Sequence, residues 1–210
     1  MRWHGHACFE IGEDVTIVTD PHDGKSIGIK PPYTKADIIL ISHDHFDHNF
    51  FKAVEGRKTK IFKREIDTTK NGIKIKGLKT YHDDAMGAKR GDNILFKFTL
   101  GGINFCHLGD LGHVLDGDLL KQIGNVDILF VPVGNVFTIG PKEAWEVIHT
   151  IKPAVAIPMH YRVGGLSLSI KPVEPFLDFV DEDSIVRVGN EIDFESEDLP
   201  GEFEVWVFTL

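Results

Sequence analysis

The sequence predicts an α/β (α+β) fold in which two β-sheets pack together with helices outside them. Three observations carry this: short β-rich runs with period-two alternation, three stretches of helical spacing with their own start or stop signals, and one strand–helix–strand unit late in the chain.

Taken in order, ACFEI and VTIVTD flank Gly12, Glu13 and Asp14 and read as an opening hairpin. ADIILIS is β-rich and runs directly into a histidine cluster, after which a helix is expected from near Asn49. Ile73 and Ile75, then Ile94, Phe96, Phe98 and Leu100, alternate with polar residues as half-buried strands do. GINFCH and VDILFVPV complete the strands. Helical spacing appears at Leu119, Leu120 and Ile123 before Gly124, at Ala144, Trp145 and Ile148 after Pro141, and at Val173, Phe176, Leu177 and Val180 after Pro172. VDILFVPV, PKEAWEVIHTI and AVAIP form the strand–helix–strand unit, whose right-handed crossover sets the helix on one sheet face. No repeat, low-complexity tract or linker interrupts residues 3–209, so one domain over 1–210 is expected.

At 210 residues, 42% hydrophobic and 26% charged, the chain has an ordinary globular make-up and can enclose a sizeable core. Cys8 and Cys106 form no CxxC and sit in apolar runs, which suits buried thiols in a reducing cytoplasm. No apolar run nears the roughly 20 residues of a membrane helix, and Met1 leads straight into structure, so neither anchorage nor export is expected. A net charge of -9 without a Lys/Arg cluster disfavours nucleic acid as a partner. Two bound divalent ions would shift it to -5 and concentrate positive charge in one pocket.

The run SHDHFDH carries the chemistry. It follows a strand, so His43 and His45, at i and i+2, face the same side and can grip one ion. Asp47 and His48, adjacent at the turn beyond, diverge toward a neighbouring ion. One metal would be crowded by these ligands, whereas two fit. The bland alternative, a solvated His-rich loop, is outweighed by the strand context and the spacing.

HxHxDH at 43–48 resembles the signature of the metallo-β-lactamase superfamily, which implies a four-layer αββα sandwich with metals at one edge. GHACFEI near the start and TDP at 19–21 resemble the branch containing ascorbate-6-phosphate lactonase and N-acylphosphatidylethanolamine phospholipase D. His82 in TYHDD, Asp110 in HLGDLG and His160 in PMHY follow in order, so the likeness spans residues 5–161. It implies that His43, His45 and His82 hold one ion, that Asp47, His48 and His160 hold a second, and that Asp110 bridges them. The residues agree independently, because His82, Asp110 and His160 each end a β-like run, where loops gather at a sheet edge. Leu111 stands where the branch often has threonine, which removes a hydroxyl contact but no ligand. In redox di-iron relatives a glutamate usually holds the place of His45, so the histidine favours hydrolysis.

Nitrogen and oxygen ligands without sulfur suit zinc, manganese or iron, with zinc the first choice. Two ions about 3.5 to 4 Å apart would share a water and give hydroxide near neutrality. Asp47 and Asp110, the expected catalytic carboxylates, would leave the pocket positive enough to stabilise a developing anion. The expected activity is hydrolysis of a small anionic ester, lactone or phosphodiester. The alternatives are an RNA- or DNA-processing nuclease of the same fold, for which no basic arm is visible, and a non-catalytic metal-stabilised binding module, against which all seven ligand positions are filled.

Around this set, Asp20 is a candidate acceptor for a ligand histidine N–H, its other reading being a turn former before Pro21. His107 is a candidate for ligand support or substrate contact. His22, His113, Tyr161 and Arg162 neighbour the ligands and are candidates for the substrate mouth, and the GHACF likeness places His6 near the site. His149, one helical turn from Trp145, reads as structural, and His4 carries no assignment.

Overall fold

Strands with apolar residues at every second position must have one face covered, and this chain covers them by packing sheet on sheet. The computed structural model describes residues 1–12 and 14–210. One sheet has the order β1 (Arg2–Trp3), β2 (Phe9–Ile11), β3 (Ile17–Thr19), β4 (Ala36–Leu40), β5 (Glu55–Phe62). The other is built from β6 (Ile66–Lys70), β7 (Ile73–Tyr81), β8 (Asp92–Leu100), β9 (Ile103–His107), β10 (Ile128–Pro132), β11 (Val155–Met159), β12 (Ile185–Arg187) and β13 (Glu204–Val207), in the order β12-β13-β11-β10-β9-β8-β7-β6. The opening hairpin forms as β2 pairs antiparallel with β3, with the expected turn residue Glu13 lying outside the described residues.

Phe9 of the first sheet meets Phe130 of the second with ring centroids 4.5 Å apart, and Trp3, Ile17, Ile38 and Leu40 join Phe96 and Phe105 in the same core. Each such buried side chain contributes roughly 1.5–3 kcal/mol. Strand β8 is buried more deeply than its alternation suggests: Leu95 is as inaccessible as Phe96, because both faces of the strand are covered. Both cysteines are buried and free.

Helix α1 (Gly117–Ile123) starts at Asp116, whose side chain accepts from Leu119 N, and stops at Gly124. Helix α2 (Pro141–Ile151) starts on proline, turns its Ala144, Val147 and Ile148 inward, and packs on β10 and α3 (Glu174–Leu177). The third helical stretch is thus a single turn, enough to bring Phe176 and Leu177 onto the core. The helix expected near Asn49 is only a 3-10 turn at Phe51–Ala53. Phe50 N is tied to Pro21 O at 2.8 Å and β5 begins at Glu55, which leaves room for one turn. This turn and Val54 cover Cys8, Val18 and Ile39 on the outer face of the first sheet. Among the described residues, no helix is long and apolar enough to cross a membrane.

Strand direction is what prepares the site. β10 runs parallel to β9 and β11, and β7 and β9 are each antiparallel to β8 between them. β7, β9, β10 and β11 therefore end at one edge. In the facing sheet β3 and β4 are parallel, and their ends lead to Asp20 and His43.

Candidate metal centre

His82 directly follows β7, Asp110 lies just beyond β9, His160 directly follows β11, and His43, His45, Asp47 and His48 occupy the loop after β4. Several backbones are bent to serve this edge. His6, Asp20 and His160 have φ of 57°, 37° and 56°, a left-handed conformation that non-glycine residues hold only where surrounding structure enforces it. A Cβ on Gly134 would lie 1.9 Å from the His160 carbonyl oxygen, so only glycine lets the loop after β10 pass there.

Two separate groups of donors result, joined by a third made of His43, His48 and Asp110. His43, His45 and His82 each bring one ligand atom within 4.8 Å of the others, and His6, Asp47, His48 and His160 do the same. The Asp110 carboxylate stands between them. Its Oδ2 is 3.2 Å from His82 Nε2, 3.8 Å from His43 Nε2 and 3.1 Å from His160 Nε2, while its Oδ1 is 3.4 Å from His48 Nε2.

Behind the donors lies a buried relay. Asp20 accepts from Ser42 N and Ser42 Oγ at 2.7 Å each and from His48 Nδ1 at 3.0 Å. Ser42 Oγ, its proton committed to Asp20, accepts from His43 Nδ1 at 2.8 Å. This network places a proton on Nδ1 of one histidine in each group and turns both Nε2 atoms toward the other donors. Asn93 performs a similar service for Asp110: its amide nitrogen is held by Thr80 Oγ1 and Leu108 O, and its oxygen accepts from Asp110 N at 2.9 Å. Beside His82, the Asp83 carboxylate accepts from the backbone amides of Ala85, Gly87, Lys89 and Arg90 and so shapes that loop.

Burial opposes charge on Asp110, yet His160 and His48, with hydrogen bonds from His160 and His82, hold its carboxyl well below the ordinary value. Asp47 is lowered too, burial being outweighed by His48 and His6. Burial pushes His6 to about 3, aided by His160, and His43 to about 3, aided by His48. It also lowers His45, with His82 contributing. His48 moves the other way, to about 10, because Asp110, Asp47 and Asp20 outweigh its burial. Buried carboxylates that need a cation, set among imidazoles of which His6, His43 and His45 are held neutral and His48 carries the proton a metal would displace, are the donor chemistry of a divalent metal site. His43 Nε2 and Asp110 Oδ1 are moreover buried without a hydrogen-bond partner among the described residues. The side chains present fit metal ions.

Of the supporting candidates, Asp20 and His6 reach these groups. His107 is buried and its ring spans Ala7 O at 3.0 Å and Gly109 N at 3.2 Å, so it pins the loop before Asp110 rather than meeting substrate. His22 is buried with Nε2 against His4 O at 3.1 Å, and His4 in turn meets Glu10. His113 accepts from Tyr81 N and, with His82, Arg90 and Phe137, lines a cavity of about 760 Å³. Tyr161 is not at a mouth: its ring packs 5.2 Å from that of Trp3 and its hydroxyl donates to Phe208 O, because the chain turns back into the core after His160. Arg162 is exposed and borders neither that cavity nor the groove beside His43, its backbone amide bonded to Lys171 O. His149 holds Trp145 O within its own helix. Sequence reasoning missed Ser42, Asp83 and Asn93. Ser42 and Asp83 adjoin candidate ligands in the chain, a signal that was present, whereas Asn93 carries none.

A second groove, of about 470 Å³, is lined by His43 and His45 with Lys63, Arg64, Lys79 and Arg90. Lys79 is paired with Asp92 at 2.8 Å, and Arg90 borders both spaces.

A family model described as a beta-lactamase superfamily domain matches residues 1–160. The chain is 30% identical over 187 residues to a UPF0173 metal-dependent hydrolase of Thermoplasma acidophilum, covering 78% of this chain and 84% of that protein. It is 31% identical over 188 residues to one from Thermococcus onnurineus, covering 77% and 84%. A crystal structure of a metallo-beta-lactamase superfamily protein from Thermotoga maritima matches with a TM-score of 0.82 at 42% identity, covering 99% of this chain and 97% of that one.

Proposed function

Because the chain belongs to the metallo-β-lactamase superfamily and is a metal-dependent hydrolase, we propose that it is a dinuclear enzyme, with zinc the first choice, acting on a small anionic ester, lactone or phosphodiester. The observation that carries this reading is Asp110, one carboxylate oxygen within 3.2 Å of His82 and 3.1 Å of His160, donors from the two different groups. In this reading His43, His45 and His82 hold one ion, Asp47, His48 and His160 the other, and Asp110 both. When bound, the ions would supply Lewis acidity toward a carbonyl or phosphoryl oxygen and a hydroxide nucleophile near neutral pH.

The chain's own part is to place and insulate these donors. Asp20, directly and through Ser42, keeps His48 and His43 as Nε2 donors, and Asn93 holds the Asp110 backbone. Lys63, Arg64 and Arg90 border the spaces beside His43, His45 and His82, among Asp44, Glu65 and Asp84, and would be the partners for an anionic substrate. Nucleic acid remains disfavoured as substrate by the net charge of -9. Two buried free thiols accord with a reducing cytoplasm, and we read residues 1–210 as one hydrolase domain.

Reconstitution with zinc, metal analysis and a screen of lactones, phosphodiesters and thioesters test this. Two retained ions per chain and turnover of an anionic substrate are expected, with Asp110→Asn losing an ion and roughly 100-fold or more in kcat. Fewer than one tightly bound ion in the wild type, or full activity in Asp110→Asn, would overturn it.

A further inference from the structure

We propose that His6 is itself a ligand of the second ion, beside Asp47, His48 and His160; this rests on the metal-centre reading above. His6 Nε2 lies 3.0 Å from Asp47 Oδ2 and 3.1 Å from His48 Nε2. Donors that share one ion at about 2.0–2.2 Å stand roughly 3.0–3.5 Å apart, so both separations are those of co-ligands.

The contact with His48 is the one that an ion would take over. Asp20 accepts from Nδ1 of His48, so its Nε2 is the atom left to face His6 and to bind an ion. Two ring nitrogens at 3.1 Å need either a shared hydrogen or a metal ion between them. An ion taken up by His48 replaces that proton, and His6 then presents its own lone pair to the same ion. The backbone is built to deliver the ring. His6 sits at φ 57°, held there by its carbonyl, which accepts from His160 N and from Trp3 Nε1 at 3.1 Å each. Its side chain is completely buried, 4.1 Å from the His160 ring between centroids.

Titration of metal-free protein with Co²⁺, read by visible absorption and by metal content after gel filtration, tests the assignment. The wild type is expected to take up two Co²⁺ in two phases. His6→Asn tolerates the left-handed backbone but is too short to reach the ion. It is expected to keep the first phase, weaken the second about 10-fold or more and change its absorption bands. His6→Gln retains an N–H for Asp47 and is expected to show the same loss, since a hydrogen bond alone does not restore a ligand. Wild-type affinity and spectrum in His6→Gln would reduce His6 to a hydrogen-bond donor and overturn the proposal, as would wild-type binding in His6→Asn. His48→Ala is the reference: if it too leaves both phases intact, the metal centre itself is overturned and the role of His6 with it. Melting of the metal-free variants within a few degrees of the wild type confirms that the fold is kept.

Discussion

Asp20 shows how much a site can depend on a side chain that touches no substrate. Its carboxylate sets the tautomer of His48 directly and of His43 through Ser42. Asp20→Asn keeps the size and tolerates φ 37°, but its amide offers a weaker acceptor. It is expected to bind zinc roughly 10–100-fold more weakly with unchanged secondary structure, measured by titration calorimetry; unaltered affinity would detach Asp20 from the ligands. His22 sets a pH limit. Burial holds it neutral to about 4, against an ordinary 6.5. As pH falls from 6.5 toward 4 the unfolded chain takes up this proton and the folded chain does not, so stability declines across that window. In metal-free protein, urea denaturation at pH 7 and pH 5 is expected to show a smaller acid loss in His22→Gln than in the wild type, and equal losses would refute the assignment. The sequence made the HxHxDH residues legible through spacing, and TDP pointed to Asp20. Asn93 stayed invisible because its role exists only in contact with Asp110 and Leu108.

Strands and their loops deliver these residues. Period-two runs and capping residues marked the opening hairpin, α1 and α2 in the sequence, since those signals lie within a few residues of one another. The helix expected near Asn49 failed because Phe50 is tied to Pro21, a contact set by the facing loop and not by local spacing. The loop after β10 is equally dependent on its surroundings. Gly134→Ala would place a Cβ against His160 O and is expected to cost about 1–3 kcal/mol and to reduce metal content. Gly164→Ala, with open space around it, is expected to change neither. Equal melting temperatures for the two variants would show that the loop yields freely.

Across the whole molecule, the candidate ligands come from both sheets: the 43–48 loop from one, and His82, Asp110 and His160 from the other. Metal would therefore tie the two sheets at one edge, while Trp3, Phe9 and Phe130 hold them together through the core. Chelation is accordingly expected to lower the melting temperature by about 10 °C without unfolding the chain, as followed by circular dichroism with and without added zinc. An unchanged melting temperature would mean that the site holds no ion, and loss of structure would mean that the core does not suffice.

The sequence by itself determined the fold class, the strand ends that bear His82, Asp110 and His160, and the candidate donors of SHDHFDH, because periodicity and ligand spacing are properties of neighbouring residues. Only the tertiary structure decided that His6 meets Asp47, 41 positions away, that Ser42 relays Asp20 to His43, and that Tyr161 turns into the core. These outcomes depend on how loops far apart in the chain gather at one sheet edge and around the core, and a distance between such loops leaves no trace in the spacing along the chain.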